Sequence, residues 1–186
     1  MDRGLLAVLA EHSGGGRVVD VGAGPGHVGA YLVRRGANVV ALDLAPKMCA
    51  IARGSGGLPV LAADMAAVPL APSSVAGVVC LYAVIHLNGV ERLQAYSEFA
   101  RILRPGGHLL VSFHVSDAET AVGGERHLRN WWDHEVDLVF RFLGPAEEEA
   151  ALEKVGLEFV ARVEREPYEG VEHASRRAYL LFRRPS

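Results

Sequence analysis

The chain has 186 residues, half of them hydrophobic and 22% charged, with a net charge of −3. That size fits one domain with a real core, and an acidic balance without a run of five like charges lacks the basic footprint of a nucleic-acid binder. The apolar stretches are strand-sized, so no membrane span is expected, and Cys49 and Cys80 form neither a disulfide framework nor a metal spacing; the natural reading is a reduced, cytoplasmic chain with no secretory signal.

Residues 3–12 read as a short helix with Leu5, Leu6 and Leu9 at helical spacing, broken by Ser13-Gly14-Gly15-Gly16. Arg17 to Gly22 is a short apolar run ending in glycine, as expected of a strand buried on both faces. A helix from His27 to Arg35 stops at Gly36, a second buried strand runs from Asn38 to Asp43, and Pro46 opens a helix through Arg53. Leu58–Ala62 and Val75–Tyr82 are the third and fourth strands. A helix from Gly89 to Leu103 carries Leu93, Tyr96, Ala100 and Leu103 on one stripe, and His108–His114 is the fifth strand. Alternation of this kind implies right-handed βαβ units.

Beyond His114 the rhythm changes. Ser116–Gly124 reads as loop, and Val136–Phe142 alternates, with Val136, Leu138, Phe140 and Phe142 on one face. Pro145–Val155 is a helix whose Glu147, Glu148 and Glu149 suit its N-terminus. Leu157–Val163 and Arg177–Arg183 close the chain as an antiparallel pair. The whole is expected to be a single α/β domain, with a Rossmann-like, doubly wound, mostly parallel sheet of seven strands, the last antiparallel, and helices on both faces.

The most informative stretch is Asp20-Val21-Gly22-Ala23-Gly24-Pro25-Gly26-His27, a strand, a glycine turn and a helix start. Glycines let a backbone approach a ligand where a Cβ would collide, and the helix start presents free N–H groups. His27 stands where the dinucleotide fingerprint needs its third glycine, which counts against a nicotinamide-dependent oxidoreductase.

With Val39-Val40-Ala41-Leu42-Asp43, Ala62-Ala63-Asp64-Met65 and Arg101-Ile102-Leu103-Arg104-Pro105-Gly106-Gly107, this stretch resembles, in the same order, the motifs of class I S-adenosylmethionine-dependent methyltransferases over roughly residues 17–114. The resemblance implies S-adenosylmethionine as cofactor and S-adenosylhomocysteine as product, with no metal. It also implies residue roles. Gly22, Ala23 and Gly24 would pack on the methionine portion, with Asp20 facing its ammonium directly or through water. Asp43 would accept from both ribose hydroxyls, and Leu44 would lie along the adenine. Asp64 and the Met65 N–H would meet the adenine edge, while Leu81 and Tyr82 would lie near the methionine part. The plainer alternatives stay open: a turn or capping residue for Asp43 and Asp64, and core packing for Met65, Cys49 and Cys80.

Methyl transfer from a sulfonium is an in-line displacement, so the protein mostly aligns and desolvates, and a general base is needed only if the acceptor holds its proton. His86 and His114, at the carboxyl ends of the fourth and fifth strands, are the candidates for that base, with capping of a loop as the structural alternative. Cys80-Leu81-Tyr82-Ala83 stands where members that methylate bases in nucleic acids often carry Asn/Asp-Pro-Pro-aromatic. Residues 115–143 are expected to form a substrate cover, with Trp131, Trp132 and His86 as candidate acceptor contacts and packing of the cover as the alternative for the tryptophans. Only about sixteen residues precede the first strand, fewer than in many relatives, so either the N-terminus is truncated or the site is more open. The favoured partner is a small organic acceptor, with neither nucleic acid nor membrane. Protein methylation and a non-catalytic cofactor-binding role are the other readings.

Overall fold

A run of β-branched and other apolar residues with no polar face can be satisfied only in the middle of a sheet covered on both sides. β1 (Arg17–Val21) and β4 (Val75–Leu81) are of this type and lie side by side at its centre. The computed structural model describes residues 1–54, 57–131 and 134–186, apart from the side chains of Trp131 and His134. With β2 (Asn38–Asp43), β3 (Val60–Ala62), β5 (Leu103–Asp117), β8 (Glu158–Arg165) and β9 (Ser175–Arg183), the two central strands form a seven-stranded sheet in the order β3-β2-β1-β4-β5-β9-β8. Only β9 runs against its neighbours, β5 and β8. This is the doubly wound sheet expected from the sequence.

The helices divide between the two faces. Leu6 and Leu9 of α1 (Asp2–Ser13) and Leu32 of α2 (His27–Val33) pack with Val18, Val79 and Leu110. On the other face, Ala95, Phe99 and Ile102 of α4 (Gly89–Ile102) and Leu152 of α5 (Pro145–Lys154) pack with Val19, Val78 and Val111. The remaining helix, α3 (Pro46–Gly54), sits by β2 and β3. A capping box opens α4: Asn88 accepts from the Val90 and Glu91 N–H groups while Glu91 accepts from the Asn88 N–H. Glu148 of α5 is buried and accepts from Arg92 Nε at 3.1 Å and from the Tyr96 hydroxyl at 2.6 Å, which ties α5 to α4.

Two expectations need correction. The fifth strand is not confined to 108–114: it leaves α4 directly at Leu103 and continues to Asp117, because β9 follows it along that whole length, so Ser116 is strand and not loop. Residues 115–143 also hold an unexpected strand, β6 (Glu125–Trp131), paired antiparallel with β7 (His134–Arg141) in a separate two-stranded sheet. β7 takes up most of the alternating stretch, and Asp137 on its outer side is exposed.

Candidate functional site

All parallel strands end at one edge of the sheet, and β9, running the other way, begins there. At that edge the turn after β1 is shaped by glycine. Gly22 has φ +67°, and a Cβ on it would lie 2.2 Å from Ala83 Cβ, so this residue must be glycine for the loop to lie against the chain after β4. Gly24 has φ +52° and, unlike Gly22, open space beside it: nothing lies within 4 Å of where its Cβ would point.

Three carboxylates frame this loop. Asp20 is buried in β1 and its Oδ2 accepts from the Gly29 N–H at 2.8 Å, one of the helix-start donors that has no partner within α2. Burial pushes the Asp20 carboxyl up to about 7, opposed by that hydrogen bond and reinforced by nearby Asp43. Asp43 accepts from Gly24 N–H through Oδ2 at 2.7 Å and from Ala45 N–H through Oδ1 at 2.8 Å. Each oxygen keeps a lone pair for a further donor. Leu44 beside it is 70% exposed, and the Met65 methyl sits 3.5 Å from the Cβ position of Gly22. Asp64 is exposed and closes a turn on the Ala66 N–H at 2.8 Å; its neighbour Ala63 donates to the Asp43 carbonyl at 3.0 Å, so the two aspartates share one rim.

The chain crosses from this loop to a second space within two residues. Ala83 closes Gly22, while Tyr82, with φ +57°, turns into a cavity of about 400 Å³. A left-handed tyrosine costs on the order of 1–3 kcal/mol, so the surrounding structure holds it there. Its ring stacks on His114 with centroids 4.9 Å apart. Its hydroxyl lies 2.6 Å from that of Tyr179, which itself donates to Asp2 Oδ1 at 2.6 Å; the Tyr82 proton therefore points to Tyr179. The hairpin forms the opposite wall through Arg126, Leu128 and Phe140, with Phe142 just past its end, and Glu172, His173 and Arg177 close the side. A larger, more open groove of about 760 Å³ by Pro105 and Arg184 lies at the other edge of the sheet, remote from the glycine loop.

The two candidate histidines are placed differently. His114 lines the cavity, with Nδ1 2.7 Å from the buried Ser175 hydroxyl. Burial pulls its imidazole down to about 4, helped by Arg177 and His173 and opposed by Asp117 and Glu172, so the ring is neutral at neutral pH. His86 is not among the residues lining the cavity. Its Nδ1 lies 3.1 Å from the Val139 carbonyl, which can only accept, so Nδ1 carries the proton. Its ring meets Phe140 edge-on at 4.7 Å, and Arg141 Nη1 donates to its carbonyl at 2.8 Å; His86 thus fastens the hairpin to the sheet. Cys80 is buried and burial pushes its thiol up to about 12, which keeps it protonated. Trp132 and the side chain of Trp131, expected to wall the acceptor, lie outside the described residues. Among the described residues no cluster of three or more His, Cys, Asp or Glu side chains is arranged to hold a metal ion, and no helix is long and apolar enough to cross a membrane.

Sequence reasoning missed Asp2, Arg126, Leu128, Glu172, His173, Ser175, Arg177 and Tyr179. One signal was available: an antiparallel last strand must bring its first residues to the end of the fifth, and the register pairs His114 with Arg177 and Ser112 with Tyr179.

The methyltransferase domain family model matches residues 19–111. A biotin biosynthesis bifunctional protein from Cellvibrio japonicus (strain Ueda107) is 31% identical over 153 residues, covering 80% of this chain and 29% of that protein. The chain spans less than half the length of the first curated relatives it matches, between 29% and 41%. Among solved structures, an S-adenosylmethionine-dependent methyltransferase from Methanosarcina mazei aligns with a TM-score of 0.83 at 14% identity, covering 97% of each chain. The 1,6-didemethyltoxoflavin-N1-methyltransferase of Burkholderia thailandensis, solved with 1,6-didemethyltoxoflavin and S-adenosylhomocysteine, aligns at 0.75 and 21% identity, covering 99% of this chain and 78% of that one.

Proposed function

The chain belongs to the methyltransferase domain family, of the class I S-adenosylmethionine-dependent kind, and on that premise we propose that it methylates a small organic acceptor held in the cavity between Tyr82 and the hairpin. The observation that carries this reading is the pairing of Asp43 with Gly24: a carboxylate with spare lone pairs stands beside a glycine whose Cβ side is open. That space fits an amino-acid nucleoside, with Asp43 for the ribose hydroxyls, exposed Leu44 for the adenine face, and Asp64 with the Met65 N–H for its edge. Asp20 sets the loop by holding the start of α2 through the Gly29 N–H.

S-adenosylmethionine supplies an electrophilic methyl group when bound. What the chain itself does is align and desolvate. Gly22 against Ala83 fixes the loop beside β4, and strained Tyr82, the residue before Ala83, lines the acceptor cavity, so the two spaces adjoin. Leu128, Phe140 and Phe142 exclude water. Ser175 holds His114 Nδ1, and in the tautomer whose Nδ1–H donates to the serine oxygen, Nε2 is left to accept the proton of an acceptor O–H or N–H.

Calorimetry should show S-adenosylmethionine and S-adenosylhomocysteine binding at one site, and NAD and ATP binding far more weakly. Tighter binding of NAD would overturn the reading. Loss of His114 as His114→Gln should lower turnover about 10²-fold with cofactor affinity unchanged. Cofactor binding without turnover on any acceptor would instead favour a regulatory subunit.

A further inference from the structure

Positive charge without a partner gathers on one face of the molecule. Residues 1–54 hold six basic and four acidic side chains, and the rest of the chain thirteen and eighteen. Three of those four acids are engaged elsewhere: Asp2 with Tyr179 and Arg165, Asp20 in the interior, and Asp43 at the glycine loop. Among the described residues no ion pair holds Arg3, Arg34 or Arg35, whereas most arginines beyond residue 90 sit against a carboxylate.

These cations have a shaped setting. Arg3, His27 and Arg34 line a groove of about 480 Å³ between α1 and α2, whose apolar lining comes from Leu6, Val28 and Ala30. Leu6 and Ala30 are buried and form its floor, while Arg3, Arg34 and Arg35 are exposed and form its rim. The Arg3 and Arg35 guanidiniums both lie over the Tyr31 ring, 5.9 and 5.0 Å from its centroid, and the Tyr31 hydroxyl donates to the Arg3 carbonyl at 3.4 Å. Like charges held this close repel one another, and an anion laid across them relieves that repulsion. An apolar floor under a cationic rim is complementary to an amphipathic segment with acidic flanks. A nucleic acid fits less well. Duplex DNA carries a charge about every 1.7 Å along its axis, and its length would run off the groove onto a molecule where acidic residues are in excess. The groove also borders both spaces of the proposed site: Arg3 follows Asp2, which lines the cavity beside Tyr82, and His27 follows Gly26 of the glycine loop.

We infer that the groove between α1 and α2 is a docking surface for an acidic, amphipathic segment of a partner protein. Its Asp and Glu side chains pair with Arg3, Arg34 and Arg35, and its apolar side lies on Leu6 and Val28.

The test titrates the full chain, with S-adenosylhomocysteine present, into four probes: a labelled helical peptide of Glu and Leu, the same peptide with Lys for Glu, a labelled DNA duplex, and phosphatidylglycerol vesicles. Anisotropy reads the first three and cosedimentation the last. The Glu/Leu peptide should bind roughly tenfold or more tighter than the Lys/Leu peptide and the duplex, the vesicles should retain none of the chain, and added salt should weaken the complex. Arg34→Glu with Arg35→Glu changes two exposed side chains and should weaken peptide binding roughly tenfold or more. Arg183→Glu, equally a charge reversal but at the opposite edge of the sheet, should leave it within about two-fold. No binding of the Glu/Leu peptide, duplex or vesicles bound as well as the peptide, or equal losses in the two variants overturns the inference. S-adenosylhomocysteine affinity, read by calorimetry, should be the same in the double variant as in the parent; a fall would assign the arginines to the cofactor and overturn it too. If the parent binds the peptide but no S-adenosylhomocysteine, the cofactor reading falls and the docking surface stands.

Discussion

Asp20 is buried with one backbone donor for its carboxylate, and that imbalance has a measurable consequence. Its carboxyl titrates near 7 in the folded chain, above the ordinary 3.8, so its contribution to stability is full below about pH 4 and is lost as the pH rises through 7. Asp20→Asn keeps an oxygen for Gly29 and removes the charge. The variant should be more stable than the parent at pH 8 by about 1–3 kcal/mol and equal to it at pH 4; urea unfolding at the two pH values reads the difference, and a constant gap would show that the carboxyl titrates normally. Asp43 is the opposite case, a rim carboxylate whose work is directional. Asp43→Ala should weaken S-adenosylmethionine binding by about 1.5–3 kcal/mol, the worth of hydrogen bonds to a charged group. Calorimetric affinity equal to the parent's would leave Asp43 with the Gly24 and Ala45 N–H groups as its whole role.

Between α4 and α5 a single carboxylate does the joining. Glu148 is buried against Arg92 and Tyr96, and Tyr96 is itself fully buried. Removing one side of such a pair strands the other charge in the interior. Glu148→Ala should therefore cost about 3–5 kcal/mol, seen as a fall in the urea midpoint, with Glu148→Gln losing less because the amide oxygen still accepts from Tyr96. Equal losses would mean that shape, not charge, matters there. Elements of the sheet were legible because β1, β2 and β4 are short apolar runs punctuated by Gly22, Asp43 and Tyr82, and burial on both faces leaves no other use for such runs. β6 was not: from Glu125 to Asn130 only Leu128 is apolar, since a hairpin lying outside the sheet needs one buried contact and solvates the rest. The glycine loop and its aspartates could be read because they are contiguous. The cavity beside Tyr82 could not, because Tyr82 meets Tyr179 across 97 positions.

At the scale of the molecule, the two halves of the site are held by different parts of the chain, and this makes them separable. The glycine loop, Asp43 and Leu44 belong to β1, β2 and the turns after them, and none of their described hydrogen bonds reaches the hairpin. The hairpin in turn is fastened to the sheet edge by His86 to Val139, by Arg141 to the His86 carbonyl, by Arg126 to the Asp117 carboxylate at 3.0 Å, and by Leu143 N–H to the His114 carbonyl at 2.8 Å. Two of these described ties run through the His86 and Arg141 side chains. Replacing both, His86→Ala with Arg141→Ala, removes two hydrogen bonds and the edge contact on Phe140, a loosening of about 1–3 kcal/mol. That is enough to raise the open fraction of the hairpin roughly five-fold or more, while the central sheet keeps its core. The double variant should bind S-adenosylhomocysteine as the parent does. It should exchange backbone amide hydrogens faster over 134–141, and turn over an acceptor with a KM raised at least three-fold. A cofactor affinity that fell in step with the acceptor's would mean that the hairpin also closes the cofactor's side, and that His86 belongs to both halves of the site.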